Sequence, residues 1–237
     1  MLEELKEAVW QANLALRDHS LVLLTWGNVS GVERDAGLVA IKPSGVDYEA
    51  MSGEQMAVVD LEGNVVEGEL QPSSDTATHL VLYREMEDIG GVAHTHSTYA
   101  TAWAQARRGI PCYGTTHADY FRGVVPVTEE LSPQALQGDY ESETGWAIVR
   151  AMENVEVGEM PGVLVASHGP FTWGESAEQA VAGSIVLEQI ARMAALTEGL
   201  APMVEPIRQE LRDKHFLRKH GPSAYYGQGN QKNKTDS

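Results

Sequence analysis

Short β-rich runs alternate with segments of helical periodicity along most of this 237-residue chain. Apolar residues recur every three or four positions, as in amphipathic helices, in residues 2–16, 75–87, 97–107, 141–153 and 176–198. Brief β-rich runs bounded by turn residues, as in strands, lie at 21–26, 38–42, 57–61 and 91–96. Because both kinds of element are mixed throughout, the sequence predicts the α/β fold class.

Turn and capping residues add detail to this pattern. Gly63-Asn64 lies between two strand-like runs and is typical of a tight hairpin, which predicts antiparallel pairing there. Asp75, Ser97 and Ser176 each precede a helical segment and are expected N-caps.

Residues 1–228 are expected to form one domain, because no internal repeat or break in composition divides them. Residues 229–237 are polar and lack hydrophobic side chains, which predicts a disordered tail.

The charge balance limits the partners of the chain. The sequence has 17 Lys and Arg against 34 Asp and Glu, a formal net charge of −17. Nucleic acid is not an expected partner, because phosphate backbones are bound by clustered basic residues. No apolar run approaches the length of a membrane span, and the acidic N-terminus does not resemble a signal peptide. With one cysteine, Cys112, and hence no internal disulfide, we expect a cytoplasmic protein.

Three histidines lie at predicted strand ends. In His94-Thr95-His96 the two-residue period of a strand puts both imidazoles on one face, close enough to share a metal ion. His168 closes the apolar run at 163–167 just before a Gly-Pro turn, so it should also stand at a sheet end. Three imidazoles with an open position favour Zn²⁺, although nitrogen ligands also accept Mn²⁺, Co²⁺ or Fe²⁺.

Each of these signals also has a simpler interpretation. His-x-His pairs occur by chance, and a histidine at a strand end is often only a hydrogen-bonded boundary residue. Asp75, which follows Ser73 and Ser74, could add a carboxylate ligand or could be only a helix cap.

Two glycine-containing loops could bind an anion. Residues 25–30 and 41–45 contain small residues that can expose backbone N–H groups, and Lys42 adds a positive charge. Ser73 and Ser74 would add hydroxyl groups and the positive end of a helix dipole. Each segment taken by itself could equally be an ordinary turn.

Five short motifs follow one another in a set order. They are Trp-Gly-Asn-Val-Ser from Trp26, Lys-Pro-Ser-Gly from Lys42, Ser-Ser-Asp from Ser73, His-Thr-His-Ser from His94 and Ser-His-Gly-Pro-Phe from Ser167. In this order they resemble the motifs of the class II aldolase and epimerase family. Segments 114–121 and 214–228 resemble the 4-epimerase branch of that family, so the resemblance spans residues 1–228.

The resemblance implies a three-layer α/β/α fold around a mostly antiparallel sheet, in a C4 homotetramer with active sites between neighbours. The implied metal ligands are His94, His96 and His168, with Asp75 beside them. The implied substrate- and phosphate-binding residues are Gly27, Asn28, Lys42, Ser44, Gly45, Ser73, Ser74, Thr115, Glu141 and His215. The implied catalytic residues are Asp119 and Tyr226. Tyr226 and His215 are expected to come from the adjacent subunit.

The reaction that the resemblance implies interconverts L-ribulose 5-phosphate and D-xylulose 5-phosphate, in the catabolism of L-arabinose. The inverted carbon carries no acidic hydrogen, so simple deprotonation cannot invert it. Breaking and re-forming the bond between carbons 3 and 4 can invert this carbon. The electrons left on carbon 3 delocalise into a carbonyl, and a metal stabilises the resulting charge. Proton donors and acceptors are needed on both faces of carbon 4, the roles expected of Asp119 and Tyr226.

Two other functions are open at this point. A class II aldolase of the fuculose-phosphate type shares the fold and the histidines but releases its fragments, and its pattern has glutamate where this chain has Asp75. An adducin-like interaction domain keeps the fold without catalysis, which the three histidines and both carboxylates disfavour.

Overall fold

The structure, a computed structural model, describes residues 1–222 and 224–225. The strands in these residues are β1 (Asn28–Glu33), β2 (Leu38–Ile41), β3 (Ala57–Asp60), β4 (Val65–Glu67), β5 (Gly91–His94), β6 (Gly162–Leu164) and β7 (Pro170–Gly174). They form one sheet in the order β4-β3-β2-β1-β5-β7-β6, with every neighbouring pair antiparallel. The predicted tail at 229–237 and the candidate residue Tyr226 lie outside the described residues.

Helices cover both faces of this sheet. In the described part of the chain they are α1 (Leu2–Asp18), α2 (Thr76–Glu85), α3 (Thr98–Gln105), α4 (Thr115–Ala118), α5 (Pro133–Gln137), α6 (Tyr140–Ala151), α7 (Ala177–Leu200) and α8 (Gln209–His220). A short 3₁₀ turn lies at Gly53–Gln55. The predicted α/β class and the mostly antiparallel sheet are confirmed.

Side chains of the central strands alternate between two hydrophobic cores because successive residues of a strand point to opposite faces. Val39 and Val59 enter the core that includes α2 and α6, whereas Ala40 and Val58 enter the core formed with α1 and α7. All four side chains are fully buried. The sheet is therefore the middle layer of an α/β/α arrangement, as predicted.

The strand predicted at residues 21–26 is wrong. Leu21 and Val22 are buried against the α1 core, but Leu23 and Leu24 are exposed, and Leu24 has a left-handed backbone with φ 54°. A left-handed residue interrupts an extended chain, so the apolar run forms a loop. The strand begins later, at Asn28.

The predicted hairpin is confirmed, and the capping predictions hold in part. Strands β3 and β4 pair antiparallel around Gly63-Asn64. Ser176 caps α7, since its hydroxyl accepts a hydrogen bond from the Gln179 N–H at 3.2 Å. Asp75 and Ser97 occupy N-cap positions, but neither side chain makes a capping hydrogen bond.

Helix α7 corrects the expectation that no segment is long and apolar enough for a membrane span. It is a 24-residue helix whose mean hydropathy reaches 1.2 over an 18-residue window, partly because it is rich in alanine. One side of the helix is buried against the sheet and α3 through residues such as Ala180, Leu187 and Ala191. It is a core helix of this domain.

Candidate metal centre and substrate cleft

The sheet register brings the three predicted metal ligands together. Asn28 of β1 lies opposite His94 of β5, and His94 lies opposite Phe171 of β7. His168 is in the tight turn that enters β7, and its predecessor Ser167 has a left-handed backbone with φ 61°. The His94 ring stacks on Phe171 with centroids 4.2 Å apart, so packing fixes the central imidazole.

The ring nitrogens are placed to share one cation. One nitrogen from each of His94, His96 and His168 lies within 4.8 Å of the other two. The Nε2 atoms of His94 and His96 are 3.1 Å apart, close to the roughly 3.3 Å that separates two ligands of a tetrahedral zinc ion. The arrangement fits a divalent metal.

Hydrogen bonds at the opposite ring nitrogens orient two of these imidazoles. His94 Nδ1 lies 3.0 Å from the Pro170 carbonyl, to which it can only donate, so Nε2 keeps its lone pair for a metal. His168 Nδ1 lies 3.2 Å from the hydroxyl of Tyr140. With Nε2 of His168 on a metal, Nδ1 carries the proton and donates to that hydroxyl.

The electrostatic environment keeps the imidazoles neutral, which is the form that binds metal. Burial lowers the pKa of His94 to about 3, against a smaller opposing effect of Asp75. Burial also lowers the pKa values of His96 and His168.

Asp75 lies in the same cleft, although it is outside the group of three nitrogen ligands. Its Oδ2 accepts a hydrogen bond from Asn28 Nδ2 at 2.6 Å, and the same amide group donates to Ser73 Oγ at 3.0 Å. Burial alone would raise the pKa of Asp75, but the pKa is lowered, and beside neutral imidazoles the hydrogen bond from Asn28 is the contact that favours the ionised form. The side chain is therefore an ionised carboxylate beside the histidines rather than a helix cap.

A buried lysine forms the cationic part of the cleft. Lys42 is 2% exposed, and its ammonium group lies 3.5 and 3.4 Å from the carbonyl oxygens of Thr25 and Pro43. No carboxylate forms an ion pair with it among residues 1–222 and 224–225. Burial lowers its pKa, with Asp47 opposing. An ammonium group held in this way is suited to bind a phosphate group.

Gly27 shapes the backbone between this lysine and the histidines. It has φ 74°, and a Cβ atom at this position would lie 2.7 Å from the carbonyl oxygen of His94. Both features require glycine.

Most of the predicted site residues line one cleft of about 620 Å³. They are Gly27, Asn28, Lys42, Ser44, Gly45, Ser73, Ser74, Asp75, His94, His96, Glu141 and His168. Four further residues line the cleft that sequence reasoning did not single out as site residues: Thr25, Trp26, Pro43 and Tyr140. Tyr140 directly precedes Glu141 at the first position of α6, and this adjacency could have indicated it.

Asp119, Thr115 and His215 do not line this cleft within the same chain; they belong to the contact between α4 and α8. Asp119 Oδ1 accepts a hydrogen bond from His215 Nδ1 at 3.0 Å. Arg218, which sequence reasoning missed, donates to both carboxylate oxygens at 3.1 and 2.8 Å. We call Asp119, His215 and Arg218 the α4–α8 cluster.

The α4–α8 cluster keeps Asp119 ionised. Burial would raise the pKa of Asp119, but the hydrogen bonds from Arg218 and His215 outweigh it, and the pKa lies below its usual value. Arg218 is three residues after His215, on the same face of α8, and this helical spacing could have indicated it. Since His215 contacts Asp119 of its own chain, a neighbour that contributes His215 to a site contributes Asp119 as well.

Comparisons with known proteins agree on one family. The family model described as Class II Aldolase and Adducin N-terminal domain matches residues 7–195. The chain is 54% identical over 227 residues to the L-ribulose-5-phosphate 4-epimerase UlaF of Salmonella paratyphi B, and equally to that of Salmonella typhi. Each alignment covers 96% of this chain and 100% of the relative.

Solved structures share the fold. An L-fuculose 1-phosphate aldolase superposes with a TM-score of 0.76 at 28% identity, covering 90% of this chain and 94% of that one. The L-fuculose-1-phosphate aldolase of Thermus thermophilus superposes with a TM-score of 0.66 at 22% identity, covering 86% of this chain and 98% of that one.

Proposed function

The chain belongs to the class II aldolase and adducin family, and from this we propose that it interconverts L-ribulose 5-phosphate and D-xylulose 5-phosphate. The observation that carries the proposal is 54% identity, over the full length of the relatives, to proteins named L-ribulose-5-phosphate 4-epimerase. The cleft supports it, because imidazoles, a carboxylate and a buried lysine converge there. The aldolase alternative rests on lower identity, 28%.

His94, His96 and His168 would hold a divalent cation, with Asp75 beside them. Zn²⁺ suits three nitrogen ligands, and Mn²⁺ or Co²⁺ could replace it. When bound, the cation supplies a Lewis acid for the negative charge that develops as the bond between carbons 3 and 4 breaks.

The phosphate group of the substrate would bind at the Lys42 side of the cleft. Ser44, Ser73 and Ser74 offer hydroxyl groups there, and Gly45 offers backbone in a left-handed conformation. Asn28 links the two halves of the site, since its amide group donates to both Ser73 and Asp75. The phosphate would thus be held at a fixed distance from the carbons that react.

Proton transfer would be carried out by Asp119 and Tyr226. In each direction one of them accepts the proton of the carbon-4 hydroxyl as the carbon–carbon bond breaks. The aldehyde fragment rotates, and the other group donates a proton to the new hydroxyl on the opposite face. Ionised Asp119 is suited to accept a proton.

The α4–α8 cluster does not line the cleft of its own chain. We therefore assign it to the cleft of a neighbouring subunit, with Thr115, in a cytoplasmic C4 homotetramer that acts in L-arabinose catabolism. Closed rings repeat one contact between identical subunits, so every cleft would receive one cluster.

The proposal is tested by incubating the metal-loaded protein with L-ribulose 5-phosphate and following D-xylulose 5-phosphate. We expect turnover that a chelator abolishes and that Asp119→Asn weakens by at least about 100-fold. Free glycolaldehyde phosphate without the xylulose product would show an aldolase instead, and absence of any reaction would contradict the substrate assignment.

A further inference from the structure

Helix α3 begins two residues after the candidate ligand His96, and a side chain from a distant helix holds its first turn. Glu188 of α7 accepts hydrogen bonds from the backbone N–H of Tyr99 at 2.9 Å through Oε1 and at 3.1 Å through Oε2. It also accepts one from the N–H of Ala100 at 2.9 Å. These N–H groups have no partner within the helix, so Glu188 satisfies them from outside.

The residue at the local N-cap position does not perform this task. Ser97 makes no side-chain capping hydrogen bond, and its hydroxyl oxygen is buried without a partner in the described part of the chain. A carboxylate at a helix N-terminus is also favoured by the helix dipole. The start of α3 is therefore fixed by a contact that spans 89 residues of sequence.

His96 depends on its backbone for orientation more than the other two imidazoles. His94 is hydrogen bonded to Pro170, and His168 to Tyr140, through the nitrogen opposite the metal side. Among the described residues, the ring of His96 has no hydrogen bond except the contact with His94. The ring also lies beside Trp26 and His168, with centroids 6.1 and 5.0 Å away. Without a hydrogen bond at the nitrogen opposite the metal side, the orientation of His96 depends on these ring contacts and on the short segment that joins β5 to α3.

We propose that Glu188 is a positioning residue for the metal centre, which holds His96 in register with His94 and His168 by anchoring the first turn of α3. Helix α7 packs against β5 and β7, the strands that place His94 and His168. Through Glu188 the same helix also holds the segment that carries His96. The inference rests on the proposed metal site, and it adds a residue outside the cleft.

The same helix supplies a matched control. Glu198 also accepts three hydrogen bonds, two from Arg108 at 3.0 and 2.8 Å and one from the Tyr113 hydroxyl at 2.8 Å. It contacts neither the cleft nor the segment between β5 and α3. Loss of Glu198 removes a comparable set of contacts from α7 without releasing His96.

The test is a Co²⁺ titration of the metal-free full-length protein, followed by visible absorption, for Glu188→Gln, Glu188→Ala, Glu198→Gln and Glu198→Ala. We expect Glu188→Ala to raise the Co²⁺ dissociation constant about tenfold or more, with an altered ligand-field spectrum, and Glu188→Gln to raise it less. Both Glu198 variants should bind Co²⁺ within about twofold of the wild type, whatever their melting temperatures.

Thermal melts of each variant restrict the titrations to temperatures at which the protein is folded, and the near-isosteric Glu188→Gln serves if Glu188→Ala does not fold. Unchanged Co²⁺ affinity and spectrum in the folded Glu188 variants would overturn the role of Glu188 and leave the proposed function intact. Failure of the wild type to bind Co²⁺ would instead contradict the metal site itself.

Discussion

Arg218 binds Asp119 through one edge of its guanidinium group, with Nε donating to Oδ1 at 3.1 Å and Nη2 donating to Oδ2 at 2.8 Å. This paired contact is the strongest form of hydrogen bonding between these groups. It joins α8 to the end of α4 and lowers the pKa of a candidate catalytic carboxylate. The protonation state of Asp119 should therefore depend on Arg218.

Replacement of Arg218 by Gln should raise the pKa of Asp119, because a cation that favours the carboxylate is lost. The acidic limb of the pH–kcat/KM profile for epimerisation should move to higher pH by about one unit or more. Lys214→Gln is the control, since it removes one positive charge from an exposed position on the same helix. A profile that moves equally in both variants would show a general charge effect.

Lys42→Met should have opposite effects on stability and on substrate binding. Lys42 has no ion pair with a carboxylate in the described part of the chain, and a buried ammonium group without one costs free energy, so the variant should unfold at higher urea concentration than the wild type. The KM for the sugar phosphate should rise by about 100-fold or more, because a charge-assisted contact is lost. Urea unfolding and initial-rate kinetics check the two effects. If Lys42→Met is less stable than the wild type and its KM is unchanged, the phosphate group of the substrate does not bind at Lys42.

Tyr140→Phe should weaken metal binding, because His168 Nδ1 loses the oxygen to which it donates. The Zn²⁺ dissociation constant, measured by competition with a chromophoric chelator, should rise about tenfold. Tyr113→Phe removes another hydroxyl group, which is bonded to Glu198 away from the cleft, and should leave the constant unchanged. If Tyr140→Phe and Tyr113→Phe bind Zn²⁺ equally well, the hydroxyl of Tyr140 does not support the metal centre.

The metal-free protein should lose stability as the pH falls below about 6.5. Burial lowers the pKa of His79 to about 4, so below pH 6.5 the unfolded chain binds a proton that the folded protein does not. The contribution of His79 to the free energy of unfolding is fully present above the pKa of the residue in the unfolded chain, about 6.5. It is lost by pH 4, a change of about 3 kcal/mol. His79→Gln should flatten the pH dependence of the urea unfolding free energy, whereas substitution of the exposed His19 should not. If the unfolding free energy of His79→Gln depends on pH as steeply as that of the wild type, His79 is not a source of this pH dependence.

The parts of the site that were predictable from sequence are those whose geometry is local. The two-residue spacing of His94 and His96 indicated that they act together, although β5 ends at His94 and His96 lies in the segment that follows it. Gly27 follows Trp26 where the loop passes close to His94, and its φ of 74° suits glycine. The role of Asp75 was open in sequence because its position also suits a helix cap. Its actual partner, Asn28, lies 47 residues away.

The remaining relationships join residues that are distant in sequence. Asp119 meets Arg218 across 99 residues, and Glu188 meets Tyr99 across 89, so no local pattern contains either pair. The apolar run at 21–26 has the composition of a strand, but it forms a loop because Leu24 has a left-handed backbone. Tertiary packing overrides local propensity at such positions.

The central claim is that the metal cleft of one subunit is completed by the α4–α8 cluster of another, and subunit mixing tests it most directly. His96→Asn inactivates the metal cleft and leaves the α4–α8 cluster intact. Asp119→Asn inactivates the cluster and leaves the cleft intact. The two inactive variants are unfolded together, refolded with metal and assayed for D-xylulose 5-phosphate. We predict recovery of about a quarter of wild-type activity, because a random ring pairs an intact cleft with an intact neighbouring cluster at one site in four. A mixture that stays as inactive as its parents, while wild-type protein refolded in the same way regains activity, would contradict the claim.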